Sequence, residues 1–174
     1  MTLKQKAVLA QLAYLDKTKK TKTVWDLVEH YKNKPGYDTD EWVESFKAVE
    51  EDPYLQNLQI VGYTNNNEQG TKSGFVGYAF AEATSSEDGV VAFRGSENPF
   101  TGNWNDWFNN IAMETGPSSK QMEDAITFMN NTKEKEGAGN LKNIEVTGHS
   151  LGGFLATTQA ILDPRVTSAT SFIK

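Results

Sequence analysis

In this 174-residue chain the residue types and spacing best suited to covalent chemistry lie in Thr147-Gly148-His149-Ser150-Leu151-Gly152-Gly153. The apolar run Ile144-Glu145-Val146 precedes them, and the helix-forming Phe154 to Leu162 follows. The pattern reads strand, tight turn, helix. A serine at such a corner is forced toward positive φ, and only small neighbours two before and two after it let the strand and helix approach closely. Gly148 and Gly152 meet that requirement. The turn lifts the Ser150 hydroxyl clear of the sheet, and the following helix aims backbone N–H groups at any oxyanion formed there. Ser150 is therefore a candidate nucleophile. Glycine-flanked serines also arise by chance in loops, so the reading rests on the strand before and the helix after.

Bulk composition limits what such a corner could serve. The length suits one domain with a sizeable core. Seventeen Lys and Arg against 23 Asp and Glu give a net charge of −6, without the basic footprint of a nucleic-acid binder. There is no cysteine, hence no disulfide framework or thiolate metal site. The two histidines, His30 and His149, have no metal-ligand spacing, so neither a metal nor a cofactor is expected. No apolar run approaches membrane-spanning length. Lys4 and Lys6 ahead of Ala7-Val8-Leu9-Ala10 imitate a signal peptide, but Gln11 breaks the apolar core and Asp16 to Lys20 replace a cleavage site. The expectation is a mature helix, in a protein that is cytoplasmic or exported without a cleavable leader.

The elements that must position Ser150 can be read in order. Val8, Leu12 and Leu15 form a helical stripe over residues 2–15. Thr23 to Asp26 resembles a capping box ahead of Leu27, Val28 and Tyr31, and Trp42, Phe46 and Val49 share a face of a third helix. Leu58 to Tyr63 and Phe75 to Phe80 are β-rich runs joined by a polar turn, a hairpin. Glu87-Asp88-Gly89 turns into Val90-Val91-Ala92-Phe93, a short strand of the kind buried on both faces, ending at Arg94-Gly95-Ser96. Glu97 to Gly116 carries Phe100, Trp104, Trp107 and Phe108 among asparagines. Ser118 with Gln121 can cap a helix whose Met122, Ile126 and Met129 repeat at i, i+4 and i+7. Asp163-Pro164 closes the helix after Ser150, and Val166 to Ile173 reads as a last strand. Strands alternating with helices in the second half indicate a parallel sheet covered on both faces.

Taken together these segments resemble a class 3 lipase, a branch of the α/β-hydrolase superfamily, and more closely its bacterial lipase-like relatives. Gln11 to Asp16 resembles the opening helix, Val90 to Ser96 the strand and turn that carry the oxyanion hole, and Gly148 to Gly153 the nucleophile elbow. The resemblance implies an α/β-hydrolase-like fold with a mostly parallel sheet, helices on both faces, N-terminal helices and a β-hairpin. It also implies that residues 1–174 form a single domain whose C-terminal part is missing. Ser150 occupies the nucleophile's position, and the backbone N–H groups of Leu151 and Ser96 those of the oxyanion hole. Ser96 as a plain turn cap is the alternative. Losing one oxyanion donor typically costs about 3 kcal/mol of transition-state stabilisation.

Other positions have structural expectations. Arg94 ends a buried strand and needs a carboxylate partner. His149 points opposite to Ser150 and is expected to be structural, and His30 to be solvated. Glu97 to Gly116 lies where the family places a lid, and a helix packed on the sheet is the equal alternative. The triad order of these hydrolases is Ser, acid, His. No histidine follows Ser150, and the only later side-chain carboxylate, Asp163, is misplaced for a triad acid. The implied function is a serine esterase or lipase acting on carboxylic esters of acyl lipids, of the triacylglycerol lipase or phospholipase A type. This chain would be incomplete alone, working at a membrane surface with its missing half or another protein completing the fold. An acyltransferase, or a non-catalytic binding module on a hydrolase fold, is the alternative.

Overall fold

The structure, a computed structural model, describes residues 1–67, 69–95 and 119–172. Helix starts follow the capping signals. Thr2 and Gln5 form a reciprocal capping box at the head of α1 (Leu3–Leu12), and Thr23 and Asp26 do the same for α2 (Val24–Tyr31). Helix α3 (Asp40–Glu50) buries Trp42, Phe46 and Val49 on one face. A single turn, α4 (Pro53–Gln56), follows it, with Asp52 accepting the N–H groups of Tyr54 and Leu55. Asp52 also accepts from the Gln5 side chain at 3.0 Å, which ties α1 to α4.

Five strands form one sheet in chain order: β1 (Gln59–Asn65), β2 (Val76–Ala81), β3 (Asp88–Arg94), β4 (Asn143–His149) and β5 (Val166–Phe172). The first two pairings are antiparallel and the last two parallel. The parallel half is the one in which helices alternate with strands: α5 (Ser119–Asn130) precedes β4, and α6 (Leu151–Leu162) joins β4 to β5. This mixed α/β sheet with helices on both faces is an α/β-hydrolase-like arrangement.

Side-chain alternation divides the core in two. Val90 and Ala92 join the cluster under α1 to α4, whereas Val91 and Phe93 join Phe128, Leu155 and Ala156 beneath α5 and α6. Strand β3 is thus buried on both faces, as its unbroken apolar run predicts.

Helix α5 differs from its sequence reading. Its buried row is Gln121, Ala125 and Phe128 with Met129, and Ile126 is exposed. Of the predicted Met122, Ile126 and Met129 row, Met129 is buried and Met122 packs half-buried against the core, and Ile126 alone faces outward. Polar Gln121 and Asp124 take inward places because Asp124 receives hydrogen bonds from Asn66, Thr71 and Ser73, pinning the β1–β2 connection to α5. Arg165 performs a similar task at the other end. Its guanidinium donates to the carbonyls of Met129, Ala138 and Leu141 and pairs with Asp163 at 2.7 Å.

Ser96, the segment Glu97 to Gly116 and the Ser118 cap lie outside the described residues. No helix among those described is long and apolar enough to cross a membrane.

Candidate active site

Strand β4 delivers the chain to Ser150, and the register fixes what surrounds it. Gly148 pairs with Phe93 on β3 and with Ser171 on β5, so the elbow emerges beside the ends of both neighbouring strands. Ser150 has φ 54° and ψ −121°, a left-handed backbone that a residue with a Cβ rarely adopts. Two backbone bonds hold it: the Ser150 N–H donates to the Phe172 carbonyl, and the Ser150 carbonyl accepts from the Phe154 N–H, both at 3.0 Å. The side chain is half-buried, and among the described residues its hydroxyl makes no hydrogen bond.

Glycines make this corner possible. A Cβ on Gly152 would stand 2.0 Å from the Phe93 carbonyl oxygen, and one on Gly148 would stand 2.3 Å from the Gly152 carbonyl carbon. Strand end, turn and helix start are therefore in backbone-to-backbone contact. Gly95 completes the cluster, since a Cβ there would meet the Leu151 Cβ at 3.0 Å. The turn leaving β3 thus packs on the residue that follows the candidate nucleophile.

Leu151 opens α6, so its N–H and those of Gly152 and Gly153 have no acceptor within the helix. With the positive end of the helix dipole behind them, they favour negative charge beside Ser150. The arrangement suits stabilisation of an oxyanion formed when a hydroxyl attacks a carbonyl.

Neither histidine joins it. Strand alternation carries His149 to the α1 side, where its ring donates to the Ala7 backbone carbonyl and lies 5.4 Å from the Phe172 ring. Burial there lowers its pKa to about 4, so the imidazole is neutral at physiological pH. His30 is on α2, 2.9 Å from the Lys34 ammonium and edge-on to Tyr31. Asp163 is taken by Arg165, which holds its carboxyl below the usual range. Arg94 finds the carboxylate it requires: Nη2 donates to Asp16 Oδ1 at 3.1 Å, and Nη1 to the Tyr14 carbonyl at 2.9 Å. The end of a buried strand announces that some acid must be near. Nothing in the spacing announces Asp16, which lies 78 residues earlier.

Residues 5–172 match the phospholipase-like family, as a Tle-like phospholipase domain. The chain belongs to that family. A curated relative of the Tle-like phospholipase domain is the extracellular phospholipase A1 of Serratia liquefaciens, 35% identical over 72 residues, which are 41% of this chain and 20% of that protein. Among solved structures, M37 lipase aligns with 98% of this chain and 58% of its own at 16% identity and a TM-score of 0.46. The Lip2 lipase of Yarrowia lipolytica aligns with 90% of this chain and 50% of its own at 15% identity and a TM-score of 0.41. This Tle-like phospholipase domain therefore spans about half the length of those lipases, and its match covers a fifth of the curated relative.

Proposed function

We propose that this chain carries the nucleophile of a serine hydrolase acting on carboxylic esters of acyl lipids, of the triacylglycerol lipase or phospholipase A type. The match to the Tle-like phospholipase domain supports a lipid ester hydrolase at the level of the family. The observation that carries the finer reading is the conformation of Ser150, a non-glycine residue at φ 54° beside the unpaired N–H groups of a helix start. In the proposed cycle Ser150 Oγ attacks the ester carbonyl, and its proton passes through a base to the departing alcohol. The Leu151 N–H and that of Ser96, the residue after Gly95, hold the oxyanion. Water then hydrolyses the acyl-enzyme and frees the acid.

Neither histidine is a candidate for the base, because His149 bonds to α1 and His30 to Lys34. We place it, with its acid, in sequence beyond residues 1–174, which makes these residues one incomplete domain of a longer hydrolase. The substrate is a lipid ester presented at a membrane surface, met by a protein that is exported or cytoplasmic.

The same observation on the histidines favours a second reading, a binding module that keeps the hydrolase fold without its chemistry. Treating the intact gene product with a fluorophosphonate separates the two. The hydrolase reading expects a covalent adduct on Ser150 that Ser150→Ala abolishes, with release of fatty acid from phospholipid or triacylglycerol emulsions. An unlabelled protein that still binds lipid supports the module. Transfer of the acyl group to an alcohol in place of water would mark an acyltransferase.

A further inference from the structure

Strand β3 ends at Arg94, and Gly95 lies outside the ladder. Arg94 is the last residue of β3 paired with β2, and Phe93 the last paired with β4, so the Gly95 N–H has no ladder partner on either side. An unpaired amide at the end of a buried strand is costly and free to swing. Here it is not left open. Tyr14, in the segment after α1, is 2% exposed, and its hydroxyl oxygen faces the Gly95 backbone N–H, close enough to offset part of the rise that burial gives the phenol's pKa.

Two further bonds fix the same place. Arg94 reaches back along β3's end to donate to the Tyr14 carbonyl at 2.9 Å and to Asp16 at 3.1 Å. One segment, Tyr14 to Asp16, therefore holds both the side chain of Arg94 and the amide of Gly95. On its opposite flank Gly95 abuts Leu151 and Gly152. The Gly95 peptide is gripped between this clamp and the first turn of α6.

We propose that Tyr14, supported by the Arg94–Asp16 pair, is a positioning residue that sets Gly95 at a fixed distance from the Ser150 elbow. This inference rests on the hydrolase reading above. Tyr14 acts through Gly95 and does not exchange a proton: burial holds its phenol far above the ordinary tyrosine range, so it stays neutral throughout the working pH. Its contribution is geometric. A misplacement of about 1 Å at a catalytic donor can cost around a hundredfold in rate.

Tyr14→Phe keeps the ring in its buried slot and removes only the acceptor for Gly95. The test uses the intact protein. Wild type, Tyr14→Phe and Asp16→Asn are compared for the rate of fluorophosphonate labelling at Ser150, for kcat and KM on a soluble ester, and for hydrogen exchange at the Gly95 amide. Labelling and kcat are expected to fall about ten- to a hundredfold in Tyr14→Phe with KM unchanged. Gly95 loses protection while Val91 and Phe93 keep theirs. Asp16→Asn shows the same split with a smaller loss. Equal labelling per folded molecule in Tyr14→Phe and wild type, with only a lowered Tm, overturns the positioning role and leaves the hydrolase reading standing. Wild-type protein that takes no label at Ser150 overturns the hydrolase reading, and the catalytic role of the clamp with it.

Discussion

Replacing Gly152 by alanine tests the physical basis of the elbow with one methyl group. The new Cβ would sit 2.0 Å from the Phe93 carbonyl oxygen and 2.8 Å from its carbon, where ordinary contact begins at 3.4 Å. Strand β3 and helix α6 must part by about 1.4 Å to admit it. Neither obstacle is the tip of a flexible side chain, so the strain falls near the upper end of the roughly 1–3 kcal/mol seen on overpacking. Alanine's helix propensity, better than glycine's by up to about 1 kcal/mol, offsets part of this. A net loss of about 2 kcal/mol in urea unfolding is expected, without change in m-value. The functional loss should be larger, because the same displacement moves the Leu151 amide relative to Ser150 and costs about a hundredfold in fluorophosphonate labelling of the folded protein. Gly36→Ala is the control: at φ +92° with nothing within 4 Å, it costs about 1 kcal/mol of backbone strain and leaves labelling unchanged. Gly152→Ala protein as stable as Gly36→Ala and labelled at the wild-type rate would refute the close approach of strand, turn and helix.

Other perturbations separate strain, burial and anchoring. Ser150→Gly relieves the φ of 54° and is expected to stabilise the fold by about 1 kcal/mol in thermal or urea unfolding while abolishing labelling. His149 has a folded pKa of about 4 against an ordinary value of 6.5, so the unfolded chain binds the extra proton first and stability drops as pH falls from 7 to 5. That drop is about 2 kcal/mol, and His149→Gln should remove it from urea midpoints measured at the two pH values. Arg165→Met leaves four carbonyls without the guanidinium and the Asp163 carboxylate without its charged partner, an expected loss of about 3 kcal/mol by urea unfolding. Asp124→Asn weakens three hydrogen bonds from the β1–β2 connection; about 2 kcal/mol should be lost, with proteolysis appearing first between Asn66 and Gly74.

The sequence shows local geometry well because local geometry has a period. Capping at Thr23, the Trp42-Phe46-Val49 face, the doubly buried β3 and the strand-corner-helix around Ser150 all follow from residues a few positions apart. What it hides are partners chosen by the fold. Arg94 plainly needs an acid, but only the return of α1's tail to the end of β3 selects Asp16. On helix α5 hydrophobicity alone places Met122 and Met129 against the core but also favours Ile126, whereas Asp124 is buried in its stead because Asn66, Thr71 and Ser73 arrive from the hairpin to bond it. The clamp on Gly95 is invisible for the same reason: a tyrosine just past the end of a buried helix looks like any other core aromatic.

Whether Ser150 does chemistry can be weighed against what its position costs. A corner between strand and helix at φ 54° is satisfied by glycine without strain, as the φ of +92° at Gly36 illustrates elsewhere in the chain. Serine there carries roughly 1–3 kcal/mol of backbone strain. Its hydroxyl recovers none of that through a hydrogen bond among the described residues, and it does not cap α6. A module that only bound lipid would gain nothing from the substitution of glycine by serine at this point. On the proposed hydrolase reading, the hydroxyl at this corner, beside the first amides of α6 and the anchored Gly95, is the group that attacks the ester. On the same reading the neutral, inward-facing His149 fastens the strand before Ser150 to α1 and takes no part in moving the Ser150 proton.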